Sequence, residues 1–157
     1  MRHLPTSRLL LFVCFAFFVQ TLAAQQTIAR EWNEALLQSI REDLARPHVH
    51  ARNLFHLSVA LYDVWAAYDD EADTYLLGKT VGGFTCPCQK VPAPKNLQAA
   101  REEAMSFAAY RLLTARFSQA PSGGGALTRF QDIMKNHGYN FRDHSIDYAS
   151  GSPAALG

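Results

Sequence analysis

Net charge is nearly absent from this sequence: 15 lysines and arginines face 14 aspartates and glutamates, a formal balance of +1 over 157 residues. Such a surface gives no electrostatic footprint for nucleic acid or for an anionic membrane face. No apolar run reaches the roughly 20 residues that a membrane-spanning helix needs. Cysteine is scarce too, with Cys14, Cys86 and Cys88 as the whole complement. That count excludes a disulfide-built scaffold. It also excludes a four-thiolate metal centre, because Cys86 and Cys88 have no second pair to complete the ligand set. There is no nucleophile elbow and no Ser-His-Asp order. The triple glycine at 123–125 lacks the strand and helix-start lysine of a phosphate loop and reads as a flexible turn. What remains is ordinary for a globular chain: 48% hydrophobic residues, enough to argue against wholesale disorder, in a length that allows one modest domain.

Residues 1–24 have a job of their own. Arg2, His3 and Arg8 form a basic start, Leu9 to Val19 is a short apolar core, and Thr21-Leu22-Ala23-Ala24 offers small residues ahead of the polar Gln25-Gln26. This is the pattern of a secretory signal peptide, with cleavage expected after Ala24 and the site after Ala23 as alternative. Export to a secreted or periplasmic location follows, with no stable membrane span in the mature chain. Loss of Arg2 and Arg8 lowers the basic count from 15 to 13 against 14 acidic residues, so the mature chain is close to neutral. Cys14 leaves with the signal. In an oxidising compartment Cys86 and Cys88 would close a very small, strained ring if joined to each other, and pairing with a cysteine beyond residue 157 is the alternative.

Four helical patterns occupy residues 25–157. In 27–45, Ile28, Trp32, Leu36, Ile40 and Leu44 recur every four residues as one apolar stripe, and Pro47 stops it. In 49–68, Ala51, Leu54, Phe55, Val59, Tyr62 and Trp65 form a core stripe, and Leu57, Ala60, Leu61 and Val64 make the remaining faces apolar as well. That pattern predicts a helix at the centre of the fold, ending in solvent at Asp69-Asp70-Glu71. Glycines and prolines make 72–94 a long connection, functional or packed against another part of a larger protein. A third helix is expected over 95–118, with Ala100, Ala104, Phe107, Ala108 and Leu112 on its apolar side and Glu102-Glu103 in solvent. A fourth is expected over 126–136, burying Leu127, Phe130, Ile133 and Met134 and stopping at Gly138. Ser152-Pro153 reads as the cap and first turn of a fifth helix, so the 157 residues read as a fragment of a longer protein.

The residue types that ligate metals gather at His48, His50, His56 and Asp63. Positions two apart on a helix diverge, so His48 and His50 cannot share an ion there. His56 and Asp63 share a face but make an incomplete site. The favoured reading of both is as half-buried hydrogen-bonding groups. Arg52 and Asp63 on so apolar a helix call for partners elsewhere in the bundle.

Three stretches carry a resemblance: Trp32-Asn33-Glu34-Ala35-Leu36-Leu37, then Pro47 with Ala51-Arg52-Asn53-Leu54, then Ala60-Leu61-Tyr62-Asp63-Val64-Trp65-Ala66-Ala67-Tyr68. Together they resemble the opening of the vanadium-dependent haloperoxidase family, related in fold to the type 2 phosphatidic acid phosphatases. Val64 replaces the small residue common after the aspartate, and Ser58 stands where some members have histidine. Asn96 to Ala115 and Ser152 to Gly157 extend the likeness over about residues 30–157. It implies an all-α fold, a helical-bundle segment of a haloperoxidase-like domain. It also implies a full-length protein that binds vanadate, or a substrate phosphate, through lysine, arginines, a Ser-Gly-His turn and a histidine. No Ser-Gly-His triplet and no Ser-Arg-x5-His arrangement occurs in 1–157. No catalytic, cofactor-binding or metal residue is carried over to this chain, and vanadate is implied only for the full-length relative. The expected partners are the remaining C-terminal helices of such a protein, with homo-oligomerisation left open. The alternative is a stand-alone exported helical module that binds a partner and catalyses nothing.

Overall fold

The computed structural model describes residues 27–88 and 91–157, and the proposed signal segment lies outside them. Five helices carry the described chain: α1 (Ile28–Arg41), α2 (Pro47–Ala66), α3 (Leu97–Phe117), α4 (Gly123–Asn136) and the single turn α5 (Pro153–Leu156). A small hairpin, β1 (Thr80–Val81) with β2 (Phe84–Thr85), sits in the connection between α2 and α3 and pairs Thr80 with Thr85 and Val81 with Phe84. None of the described helices is long and apolar enough to cross a membrane.

Local chemistry sets most boundaries. Thr27 accepts the Arg30 amide at 3.3 Å and Asn96 accepts the Ala99 amide at 3.1 Å, so α1 and α3 each begin on a side-chain cap. Pro47 occupies the first turn of α2, where its missing N–H costs nothing. The hairpin turns on Gly82 and Gly83, with φ of +60° and +82°, the mirror-image geometry that two-residue hairpin loops favour.

The central element is α3, which packs against α1, α2, α4 and α5. This corrects the expectation that the second helix lies at the centre. Ala100, Ala104, Ala108 and Ala109 are all buried, and side chains that small let neighbours approach α3 from several directions. The approach is closest at Gly157, where an added Cβ would fall 1.9 Å from the Ala104 carbonyl oxygen.

By contrast, α2 buries Leu57, Leu61 and Val64 and leaves Phe55 and Tyr62 exposed at 53% and 44%. The expected stripe through Ala51, Phe55 and Tyr62 therefore faces outward, and the complementary apolar face makes the core. A helix apolar on two sides gives no periodic signal to choose between them. In α1, Ile28, Trp32 and Leu36 are buried as the spacing predicts, while Leu44 falls beyond the helix end and is 58% exposed.

The triple glycine is a second correction, since it opens α4 instead of forming a loose turn. Gly123 is needed there because a Cβ would meet the Phe117 carbonyl oxygen at 2.6 Å, whereas Gly124 faces open space. Below it Phe130 lies between Phe117, edge-on at a centroid distance of 6.0 Å, and Trp32, tilted at 6.2 Å. Aromatic contacts at this range add about 0.5–1.5 kcal/mol each beyond their buried area.

Candidate functional site

The polar residues that reach the interior act mainly as locks between elements. Asp63, buried on α2, accepts the backbone amides of Tyr75, Leu76 and Leu77, the last two at 2.8 and 3.1 Å. One carboxylate thus holds three consecutive N–H groups and fixes the start of the α2–α3 connection. Trp32 on α1 donates its indole N–H to the Ser106 hydroxyl on α3 at 3.2 Å, and that hydroxyl donates to the Glu102 carbonyl at 2.8 Å. Arg129 on α4 donates to the Ser39 hydroxyl at 3.0 Å and to both oxygens of Glu42 at 2.7 and 2.9 Å. The Glu42 carboxyl is held below its usual range first by the Gln38 side chain and then by Arg129.

Asp69 does not end its segment in solvent as expected. It accepts the amides of Glu71 and Ala72 and pairs with Arg101 at 2.7 Å, and these bonds hold its carboxyl below the usual range. The Arg101 guanidinium also lies 4.7 Å over the Trp65 ring and donates to the Tyr68 carbonyl. Glu103 is half-buried instead of solvated, and burial, then the Asp143 charge, push its carboxyl up.

The histidines scatter. His48 is exposed, while His50 is buried and bonds the Leu44 carbonyl through Nε2 at 2.8 Å. His56 Nδ1 lies 2.9 Å from Arg116 Nη2. A guanidinium can only donate, so Nδ1 accepts and the ring proton sits on Nε2. Burial, with Arg116 and Arg52 adding to it, pushes the His56 imidazole below its ordinary value. Asp63 and His56 are thus hydrogen-bonded groups as expected, with separate partners. Among the described residues no three histidine, cysteine, aspartate or glutamate side chains gather with metal-ligand geometry.

Two concavities adjoin these locks. A cleft of about 560 Å³ lies where α1 begins, lined by Ile28, Trp65, Gln98, Arg101, Glu102 and His137. Its polar groups are engaged with one another: His137 Nε2 lies 2.7 Å from Glu31, and Gln98 donates to Glu102 at 2.6 Å.

A groove of about 590 Å³ runs along α2 between α3 and the hairpin connection. Phe55, Val59 and Ala60 form its floor, Leu112 and Leu156 one wall, and Leu77, Val81 and Cys86 the other. At Cys88, two residues on from Cys86, burial, then Cys86 and Asp63, push the thiol up. No local pattern announces the groove, because its walls come from segments that only tertiary packing brings together.

An oxyanion such as vanadate needs several cationic donors converging on one tetrahedral group. Here Arg101, Arg111 and Arg129 each serve separate acceptors: Asp69, the carbonyls of Asp143 and Ser145, and Glu42. These three guanidiniums do not converge on one anion. No family model, no curated protein and no solved structure matches the chain.

Proposed function

We propose that this chain is the N-terminal helical scaffold of an exported vanadium-dependent haloperoxidase-like protein, whose oxyanion site is built by residues outside 1–157. The observation that carries this reading is the work of the motif residues. Trp32, Asp63, Trp65 and Tyr68, which bear the sequence resemblance, each engage another element through an indole N–H, a carboxylate, a ring face or a carbonyl. They tie the helices and the α2–α3 connection to one another. A site that must place several donors around one anion needs such a frame, since supporting groups have to fix geometry to within a fraction of an ångström.

The experiment is to follow the reading frame past Gly157 and assay its full product for bromide oxidation by peroxide, with and without vanadate, and for phosphate-ester hydrolysis. Vanadate-dependent bromination, from a frame carrying the Lys, Arg, Ser-Gly-His and His set, supports the reading. A frame without that set, or a product inert in both assays, overturns it. The outward apolar face of α2, with Phe55 and Tyr62 exposed, favours the second reading, an exported module that binds a partner without catalysis. An inert product that is folded and monodisperse would select it.

A further inference from the structure

The groove along α2 is apolar along most of its length but electrically uneven from end to end. Phe55, Tyr75 and Val81 keep 53%, 55% and 54% of their surface exposed, and all three line this one groove. Phe55 and Tyr75 meet edge to face across it, with centroids 6.2 Å apart. Large apolar side chains exposed together, around a concavity of this size, mark a binding surface more often than an ordinary monomer surface.

The two ends differ. At one, Asp63 carries a negative charge whose oxygens are occupied by three backbone amides. About 10 Å along α2, two helical turns at 1.5 Å per residue, His56 lies beside Arg116, and Arg52 stands one turn further on. The depressed His56 imidazole registers both guanidinium charges at that end. Arg111, on the α3 side of the groove, adds a third cationic group and is itself anchored to the Asp143 and Ser145 carbonyls at 3.1 and 3.0 Å.

We infer that this groove binds an amphipathic monoanion, a medium-chain fatty carboxylate, with its alkyl chain along Phe55, Val59 and Leu112 and its head past His56, at the Arg52 and Arg116 guanidiniums that flank that end outside the groove's own lining. The charge pattern orients it. A carboxylate at the opposite end would face Asp63, whereas at the arginine end it gains charge-assisted hydrogen bonds from planar donors that suit its two oxygens. A cationic amphiphile would face the reverse penalty. The inference stands apart from the haloperoxidase-like reading, because the groove's floor and its arginines belong to α2 and α3, while Leu156 and Gly157 line one wall.

The test is titration calorimetry of the full chain with dodecanoate below its micelle concentration, beside dodecanol and dodecyltrimethylammonium. The expected result is saturable one-to-one binding of dodecanoate, about tenfold weaker binding of dodecanol and weaker still of the cation, a tenfold step being a common effect of one charge-assisted contact. Arg52→Gln with Arg116→Gln should bring dodecanoate down to the dodecanol level. Both side chains are exposed, so the fold should survive their replacement. Val81→Asn, on the exposed hairpin, should weaken dodecanoate and dodecanol alike. Equal binding of all three amphiphiles, no saturation with dodecanoate, or a double arginine variant that binds dodecanoate as tightly as the original chain would each overturn the inference.

Discussion

Replacing Asp63 with alanine removes the acceptor for three consecutive amides at once. A hydrogen bond to a charged group contributes about 1.5–3 kcal/mol net, and a buried donor left without a partner costs about 1–3 kcal/mol. Adding three full values would overshoot, because Tyr75 is 55% exposed and its neighbours can regain water when the anchor is lost. Taking the lower orphan cost for each amide gives about 3 kcal/mol, a large share of the roughly 5–15 kcal/mol that holds a typical domain together. The loss should be local first. Hydrogen exchange at the Tyr75, Leu76 and Leu77 amides should accelerate about a hundredfold, while the α3 amides follow only the smaller change in global stability read from urea unfolding. Asp63→Asn should fall between, since its amide keeps one acceptor oxygen but turns an NH2 group toward donors. Unchanged exchange at residues 75–77 in Asp63→Ala, together with an unchanged urea midpoint, would refute the anchoring role and reopen a chemical one for this carboxylate.

Two glycines in one run should respond with opposite sign: Gly123→Ala forces a Cβ to 2.6 Å from the Phe117 carbonyl and should cost about 1–3 kcal/mol. Gly124→Ala meets nothing within 4 Å and should raise the melting temperature through helix propensity, by up to about 1 kcal/mol. Arg129→Gln breaks the fork onto Glu42, whose pair is about one-third exposed, so the loss in urea unfolding should be small and should shrink in about 1 M salt. His56 has its imidazole pushed down by burial, then by Arg116 and Arg52, so in acid the unfolded chain takes up this proton before the folded one does. Its contribution to stability is complete above the ordinary histidine value of about 6.5 and is lost as pH falls below it. Urea midpoints from about pH 8 to 5 should therefore drop more steeply for the original chain than for His56→Gln, and parallel curves would contradict the assignment.

The existence of the helices was legible because each carries a 3.6-residue apolar period bounded by a cap or a proline, and every predicted helix is present. Position within the bundle was not legible. Periodicity ranks α2 as the most buried helix because it is apolar on two sides, yet the chain surrounds α3, where alanines permit contact on several faces. Side-chain volume decided the centre, and amphipathicity did not report it. The hairpin in the α2–α3 connection did leave a signal, Thr80-Val81 and Phe84-Thr85 across Gly82-Gly83, masked by reading every glycine there as a breaker.

The same distinction separates the two kinds of polar residue. Asp63 could be singled out as needing a partner, because a charge on an apolar helix face is costly alone. Its partners could not be named, since they are backbone amides, which carry no sequence signature at all. The groove shows the converse. Phe55, Val81 and Leu156 look like unremarkable apolar residues in their own segments, and only their convergence, with Arg52 and Arg116 at one end, gives them a common role. Frame and groove therefore share residues: Asp63 anchors the α2–α3 connection and also lines the groove that Phe55, Val81 and Leu156 form.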